Sequence, residues 1–228
     1  MKKILVVLSG GQDSTTCLYA MKTWWPSAEI HAITFDYGQR HSIEIECAVK
    51  IAAMAGVASH EIVHLPEGIL AGTSPLTDHS IEVEKYDSAE TLPGGLEKTF
   101  VPMRNALFLT IAANRAYVLG ADTMVTGVSE EDFGGYPDCR ANFLVAMAGM
   151  IRKATEKTIH LEAPLLHLTK EQTVNLAIKL PGCMEALAFS HTCYNGTVPP
   201  CGSCHACLLR AKGFEQAGIV DPLTKRSV

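Results

Sequence analysis

The sequence predicts an α/β fold, a parallel β-sheet with helices on both faces, and three observations predict it. Short apolar runs alternate with stretches of helical period from the N-terminus to about residue 180, the order expected of strands joined by crossover helices. The runs are apolar along their whole length, as in strands covered on both faces. At 228 residues, 47% hydrophobic and 19% charged, the chain has enough apolar material for a large core, and its composition argues against disorder.

The elements follow in order. Lys3 to Leu8 is a buried strand, and Asp13 to Trp24 a helix with Pro26 just past its end. Glu29 to Phe35 is a second strand. Ser42 to Met54 is a helix whose stripe is Ile43, Ala48, Ile51, Ala52 and Ala55, with Gly56 as its stop. His60 to Leu65 is a third strand. Residues 66–100 break the pattern with Pro66, Gly68, Gly72, Pro75, Pro93, Gly94 and Gly95 and an acidic run from Glu82 to Asp87. A loop of that length in a compact domain is as a rule functional or mobile. Pro102 to Leu119 resumes as a helix closed by Gly120, Thr123 to Val128 is a fourth strand, and Arg140 to Glu156 a helix. Lys157 to Ala163 is a short last strand, before a helix announced by the capping-box pattern Thr169-Lys170-Glu171-Gln172. After Leu180 the composition shifts to Cys, Gly and Pro until a helix from Cys204 to Gln216. This divides the chain into an α/β domain, residues 1–180, and a helical, cysteine-bearing region, residues 181–228, packed on it.

A formal net charge of −5 implies no basic face and disfavours nucleic acid as the principal ligand. No segment approaches the roughly 20 apolar residues of a membrane span. The apolar run Ile4 to Leu8 is too short for a signal-peptide core, so a cytoplasmic location is expected. The eight cysteines then need a reason other than disulfides.

Ligands of open parallel sheets bind beyond the carboxyl ends of the strands. The residues expected there are Ser9 to Asp13, Asp36 to Gln39 and Gly127 to Asp132. The first set is the loop SGGQDST, between a strand and a helix, where backbone N–H groups and the positive helix end can face an anion. The P-loop pattern fails, because no glycine-lysine pair follows, and the dinucleotide pattern G-x-G-x-x-G fails as well. A plain strand-to-helix turn capped by Ser or Asp is the simpler alternative. Asp13 is a candidate partner for Mg²⁺ or, equally, a helix cap.

Cys193, Cys201, Cys204 and Cys207 form C-x₇-C-x₂-C-x₂-C. The overlapping C-x-x-C steps let one turn aim three thiolates at a point. The Asn195-Gly196 and Pro199-Pro200 turns let Cys193 fold back. Four thiolates make a closed, structural Zn²⁺ site. Cys201 to His205 also reads C-x-x-C-H, the haem-attachment pattern, but that leaves Cys193 and Cys207 unexplained and needs export. An iron–sulfur cluster is open on ligand type alone. Zinc is preferred because nothing else in the chain points to redox chemistry. His191 or His205 could replace a thiolate, and the four-cysteine set is the simpler one.

Two further blocks carry chemistry. Arg104, in VPMRN, sits at a helix N-terminus where the dipole disfavours a cation, which points to service to a ligand or phosphate. GVSEEDFGGYPDCR, Gly127 to Arg140, sets acids beside Tyr136 at the functional rim, suited to Mg²⁺ or to the N–H edge of a guanine-like base, with a solvated turn as the plain alternative. Cys139 could be a nucleophile, but a small packed residue is the preferred reading. Trp24 and Trp25 are expected to pack or to meet a partner.

SGGQDS resembles the SGGxDS signature of the ATP-pyrophosphatase (PP-loop) superfamily, whose members cut ATP between its α- and β-phosphates. That resemblance implies an adenine nucleotide α-hydrolase-like, Rossmann-like sheet. SGGQDSTTCL, TFDYGQRH, FVPMRN, TGVSEEDFGGYPDCR and TCYNG with CGSCHAC, in that order from Leu8 to Arg210, together resemble the 7-cyano-7-deazaguanine synthase family. Met103 departs from the family, which commonly carries a small residue before the Arg-Asn pair.

The resemblance implies an ATP-dependent carbon–nitrogen ligase of queuosine biosynthesis. It turns 7-carboxy-7-deazaguanine and ammonia into the nitrile through an adenylated acid and an adenylated amide, as a cytoplasmic homodimer acting on small molecules. It implies ATP contacts from Leu8, Ser9, Gly10, Gly11, Gln12, Asp13, Ser14 and Thr15, from Asp36 and Tyr37, and from Gly127. Substrate contacts would come from Gln39, Arg104, Asn105, Asp132, Tyr136, Asp138 and Arg140, with Asp13, Arg104 and Asp132 catalytic, Mg²⁺ on the phosphates and Zn²⁺ on the four cysteines. The other readings are a tRNA-modifying PP-loop enzyme of thiolase or lysidine-synthetase type, and a zinc-ribbon interaction module on a vestigial nucleotide fold.

Overall fold

The computed structural model describes residues 1–72, 74–92, 95–130 and 135–225. Among them five strands, β1 (Lys3–Val7), β2 (Glu29–Asp36), β3 (Ser59–His64), β4 (Thr123–Val125) and β5 (His160–Glu162), form one sheet in the order β3-β2-β1-β4-β5. Every neighbouring pair is parallel, with Ile4 opposite Ile30 on one side and Thr123 on the other. The strand order therefore reverses between β1 and β4, and such a switch point opens a crevice at the carboxyl ends.

The helices are α1 (Gln12–Trp24), α2 (Ile43–Ala55), α3 (Arg104–Leu119), α4 (Ala141–Thr155), α5 (Lys170–Lys179), α6 (Cys183–Leu187) and α7 (His205–Gln216). Alternation along β1 sends its side chains to two cores. Ile4, Val6 and Leu8 meet Leu18 of α1, Ile51 of α2 and Val174 of α5 on one face. Leu5 meets Leu109 of α3 and Met147 and Ile151 of α4 on the other. Each such side chain contributes about 1.5–3 kcal/mol by leaving water. Phe214 of α7 and Leu187 of α6 are buried in the first core, so the C-terminal helices pack on the same sheet as α1.

The C-terminal region is also held by a buried cation. Arg210, 4% exposed, pairs with Asp221 through Nε at 2.6 Å and Nη2 at 2.9 Å, and its Nη1 donates to Ser190 Oγ at 2.8 Å. The long segment after β3 is tied down through polar contacts. Arg40 donates to the carbonyls of Pro75 (2.9 Å) and Ile81 (2.7 Å), and the Tyr86 amide donates to the Ser203 carbonyl at 2.8 Å.

Four boundaries depart from expectation. The fourth strand ends at Val125, since the chain must turn at Gly127 to pass the start of α1. The helix expected from Pro102 starts at Arg104, because Met103 adopts a left-handed φ of 62° that interrupts the helical path. The last strand is limited to His160–Glu162, the residues that pair with β4. A short helix, α6, occupies a region read as aperiodic; its five residues are too few to display a period. Trp24 and Trp25 stand about half exposed, with Lys2 Nζ 3.6 Å from the centre of the Trp25 ring. No helix among the described residues is long and apolar enough to cross a membrane.

Candidate functional site

A cleft opens at the carboxyl ends of β1, β2 and β4. It is walled on one side by Leu8, Ser9 and Gly11–Ser14 after β1, by Tyr37 and Gln39 after β2 and by Thr126–Val128 after β4. On the other side stand Thr192, Tyr194, His205, Ala206 and Leu209. Arg104, Asn105 and Tyr136 close one end, and Lys170 enters from α5.

Glycine is required at two places in the loop region. Gly10 has φ +90°, and a Cβ on it would lie 2.2 Å from the Glu44 carbonyl oxygen and 2.8 Å from the Ala48 nitrogen, so the first turns of α2 rest directly on the loop. A Cβ on Gly127 would lie 2.9 Å from the Ser14 nitrogen, so β4 and α1 approach each other there as closely as backbone allows.

The loop's hydroxyls brace one another. Ser14 Oγ accepts from the Ser9 amide at 3.1 Å and lies 3.0 Å from Ser9 Oγ, which accepts from the Gly11 amide at 3.2 Å. Thr15 turns away from the cleft and donates to the Gly11 carbonyl at 2.7 Å. Gln12 is 1% exposed, and neither atom of its side-chain amide has a protein partner. Asp13 Oδ2 accepts from Lys170 Nζ at 2.7 Å, whereas Oδ1 is buried with no protein partner. A carboxylate oxygen left without a protein partner is the kind of donor a hard divalent cation takes.

The far end is aromatic and charged. Arg104 Nη1 donates to Tyr37 Oη at 3.4 Å, and no carboxylate of the described residues pairs with Arg104. Tyr136 Oη lies 2.5 Å from Thr99 Oγ1. Glu44 and His41 also line this end, with His41 Nε2 3.4 Å from Glu44 Oε2. Burial, then Arg104 and His191, lower the His41 pKa to about 3, so its ring is neutral.

The expected site residues divide into two sets. Leu8, Ser9, Gly11, Gln12, Asp13, Ser14, Tyr37, Gln39, Arg104, Asn105, Gly127 and Tyr136 line the cleft. Gly10, Thr15, Asp36, Asp138 and Arg140 lie outside its lining. Asp36 Oδ2 faces His64 Nδ1 at 3.0 Å. Asp138 Oδ2 accepts from the Asn105 amide at 3.1 Å and so satisfies an open donor in the first turn of α3. Arg140 donates to the Gly135 carbonyl at 2.9 Å. Gln39 is 5% exposed, accepts from the Tyr37 amide at 2.9 Å and braces the turn after β2. Asp132 lies outside the described residues. Burial and then Asp138 push the Cys139 thiol up to about 12, which fits packing over nucleophilic use.

Sequence reasoning missed Lys170, Glu44 and Tyr194 as cleft residues. Lys170 had a signal, since it directly follows a helix cap, but nothing local shows that this cap faces a loop 157 residues away.

The four cysteine sulfurs lie within 4.8 Å of one another, near the spacing of about 3.8 Å that four Zn–S bonds impose. Cys193 and Cys204 are fully buried, and the Cys201 and Cys204 amides donate to sulfurs at 3.4 Å. Hydrogen bonds from Cys204 and Cys207 hold the Cys193 thiol well below the usual range, while Cys204 is pushed up to about 12. Cys201 is lowered as well and Cys207 raised, so the four converging thiols divide into two that give up a proton readily and two that hold one, and a cation would take the place of the shared protons. His205 Nε2 is 2.8 Å from Glu97 Oε1, a contact outside the sulfur cluster.

A fold likeness exists to a crystal structure of a 4-thiouridine synthetase–RNA complex with bound ATP, with a TM-score of 0.51 and 18% identity over 95% of this chain and 50% of that one. A 7-cyano-7-deazaguanine synthase of Chromobacterium violaceum is 50% identical over 99% of this chain and 94% of its own length. The one from Laribacter hongkongensis is 53% identical over 97% and 94% respectively. Residues 3–218 match the family described as "Queuosine biosynthesis protein QueC", and the chain, with its nucleotide-type loop and its four-thiolate cluster, belongs to that family.

Proposed function

We propose that this chain converts 7-carboxy-7-deazaguanine and ammonia into 7-cyano-7-deazaguanine by two successive adenylations with ATP. The family supplies the pathway, queuosine biosynthesis, and the curated relatives carry the name of the product-forming synthase. The observation that carries the chemistry is a single cleft holding both a backbone anion loop with an orphaned Asp13 oxygen and, at its other end, Arg104 among tyrosines.

A carboxylate is a poor electrophile. Transfer of AMP to its oxygen creates a good leaving group, and ammonia then displaces AMP to give the amide. AMP transfer to the amide oxygen permits elimination to the nitrile. Both transfers need pyrophosphate retained and charge stabilised, which positioning and oriented donors achieve. Ser9, Gly11, Ser14 and the start of α1 receive the phosphates, and Lys170 supplies the cation the loop itself lacks. The open Asp13 oxygen fits Mg²⁺, which would neutralise polyphosphate charge. Arg104 pairs with the carboxylate or phosphate, and Tyr136 stacks on the deazapurine, while Asp138 acts by holding the start of α3. Leu8, Gly127 and the turn Asp36–Gln39 form the adenine side, and Asp132 and Arg140 belong to the rim over the deazapurine.

The cysteine cluster binds Zn²⁺ as a closed structural site. Residues 1–180 act as the nucleotide domain with 181–228 as its zinc-bearing cover. The protein works in the cytoplasm as a homodimer on small molecules, without nucleic acid or membrane as a partner, a reading that the net charge of −5 favours.

Incubation with ATP, Mg²⁺, ammonia and the deazapurine acid, read by mass spectrometry and nucleotide analysis, tests this. The expected products are the nitrile, AMP and pyrophosphate. ADP and phosphate in their place would sink the adenylation reading. Turnover only with tRNA would favour the tRNA-modifying alternative, and no turnover of any kind the interaction module.

A further inference from the structure

Glu44 lies in the first turn of α2 and lines the cleft. Two contacts place it. Its backbone carbonyl packs on Gly10 with no room for a Cβ, so Glu44 is anchored to the loop that receives the phosphates. Its side chain, 13% exposed, lies within the field of the Arg104 guanidinium on α3, and the Cys193 sulfur, Tyr37 and its own neighbour His41 are further titratable groups near it. Glu44 is therefore tied to the loop through its backbone, while its carboxyl group lies near the carboxylate-seeking Arg104.

In its ionised form an acidic side chain there is unhelpful to the anionic reactants. ATP and the deazapurine acid both bring negative charge, and neutral His41 does not offset it. The orphaned Asp13 oxygen, at the loop, is the better seat for a metal travelling with polyphosphate. The remaining reactant is ammonia, which in neutral water is mostly ammonium: a cation with no nucleophilic lone pair. It needs a carboxylate to bind it and a base to free it.

We propose that Glu44 captures ammonium beside the activated acyl group and accepts its proton, which makes Glu44 a catalytic residue of amide formation. This deepens, and rests on, the adenylation reading above. The step balances. One N–H bond of ammonium breaks and an O–H bond forms on Glu44, leaving the electron pair on nitrogen. Ammonia attacks the acyl carbon, a C–N bond forms, and the C–O bond to AMP breaks with its electron pair going to AMP. The amide nitrogen sheds one further proton to a phosphate oxygen of the departing AMP, and Glu44 returns its proton to solvent through the open cleft. Burial pushes the Glu44 carboxyl up to about 8, against the pull of Arg104 and with a smaller push from Cys193. Near neutrality the carboxyl by itself is therefore mostly protonated; ammonium beside it favours the ionised form, which then takes the ammonium proton at small cost.

The test compares Glu44→Gln, which keeps shape and removes the base, with the unaltered enzyme using two nucleophiles: ammonium, and hydroxylamine, which is neutral at the assay pH. The ratio of amide to hydroxamate formation is expected to fall by on the order of a hundredfold, the usual contribution of a general base. The KM for ammonium should rise, without a parallel rise in the KM for the acid. Hydroxamate formation also reports that the variant is folded. An equal loss with both nucleophiles, a rise confined to the KM of the acid (Glu44 reading the base edge), a rise confined to the Mg²⁺ requirement, or no change would each overturn the proposal. Absence of AMP with the unaltered enzyme would instead be a failure of the adenylation reading, so the two failures are distinguishable.

Discussion

The two walls of the cleft are built by different physics. The wall after β1, β2 and β4 is made of strand ends and glycine turns, and its geometry follows from a sheet buried on both faces. The opposite wall, Thr192 to Leu209, has little regular structure before α7. It is held by four converging sulfurs and by the buried Arg210–Asp221 pair. The first wall is stabilised by apolar burial shared with the rest of the domain. The second depends on a few strong, local ties. The residues that line the cleft from the second wall, Tyr194 among them, are only as well placed as those ties.

The largest expected effect comes from cutting one. Cys204→Ser removes a fully buried sulfur from the cluster. Structural zinc is worth roughly 10–16 kcal/mol in zinc-finger peptides, so even a fraction of that should lower the melting temperature sharply and abolish stoichiometric metal. Metal analysis and thermal denaturation check it; an unchanged melting temperature would show that the second wall stands without its cluster.

Next in size is a cut in the first wall's charge. Lys170→Met should reduce kcat by about 10²–10³-fold, the scale of losing one preorganised charge-stabilising donor, while metal content stays intact. Steady-state kinetics with metal analysis separate the two walls here. Near-normal turnover would remove Lys170 from phosphate handling.

The smallest effect concerns the entrance to α3. Met103 is 68% exposed and left-handed, with φ 62°, which an L side chain adopts at a cost of about 1–2 kcal/mol. Met103→Gly should therefore gain up to about 1 kcal/mol in denaturant unfolding, after the entropy glycine loses on folding. A loss of stability would mean that the methionine side chain makes compensating contacts.

Legibility in the sequence followed the same division. The sheet was readable because β-branched apolar runs and helical stripes have local periods, and the boundaries of β1, α1 and α2 came within a residue or so. The loop and the four cysteines were readable because their chemistry lies in spacing. Lys170 and Glu44 were not, because each reaches the cleft through a packing contact of the whole fold: Lys170 across 157 residues, Glu44 through the bare Cα of Gly10. Asp138 and Arg140 are the converse case, residues singled out by local density that do not line the cleft. They lie in the right block, yet hydrogen bonds to the Asn105 amide and the Gly135 carbonyl turn them to the backbone. The left-handed φ of Met103 is likewise invisible in one sequence.

Gln12 carries one more consequence. Both ends of its amide are buried without a protein partner, and a polar group left so costs about 1–3 kcal/mol. The folded protein thus keeps an open debt at the loop, which a ligand presenting one donor and one acceptor would settle and an isostere lacking them would not. Selectivity at that point then lies in the unmet donor and acceptor of Gln12, and the true ligand should make itself visible as a rise in melting temperature before any turnover occurs.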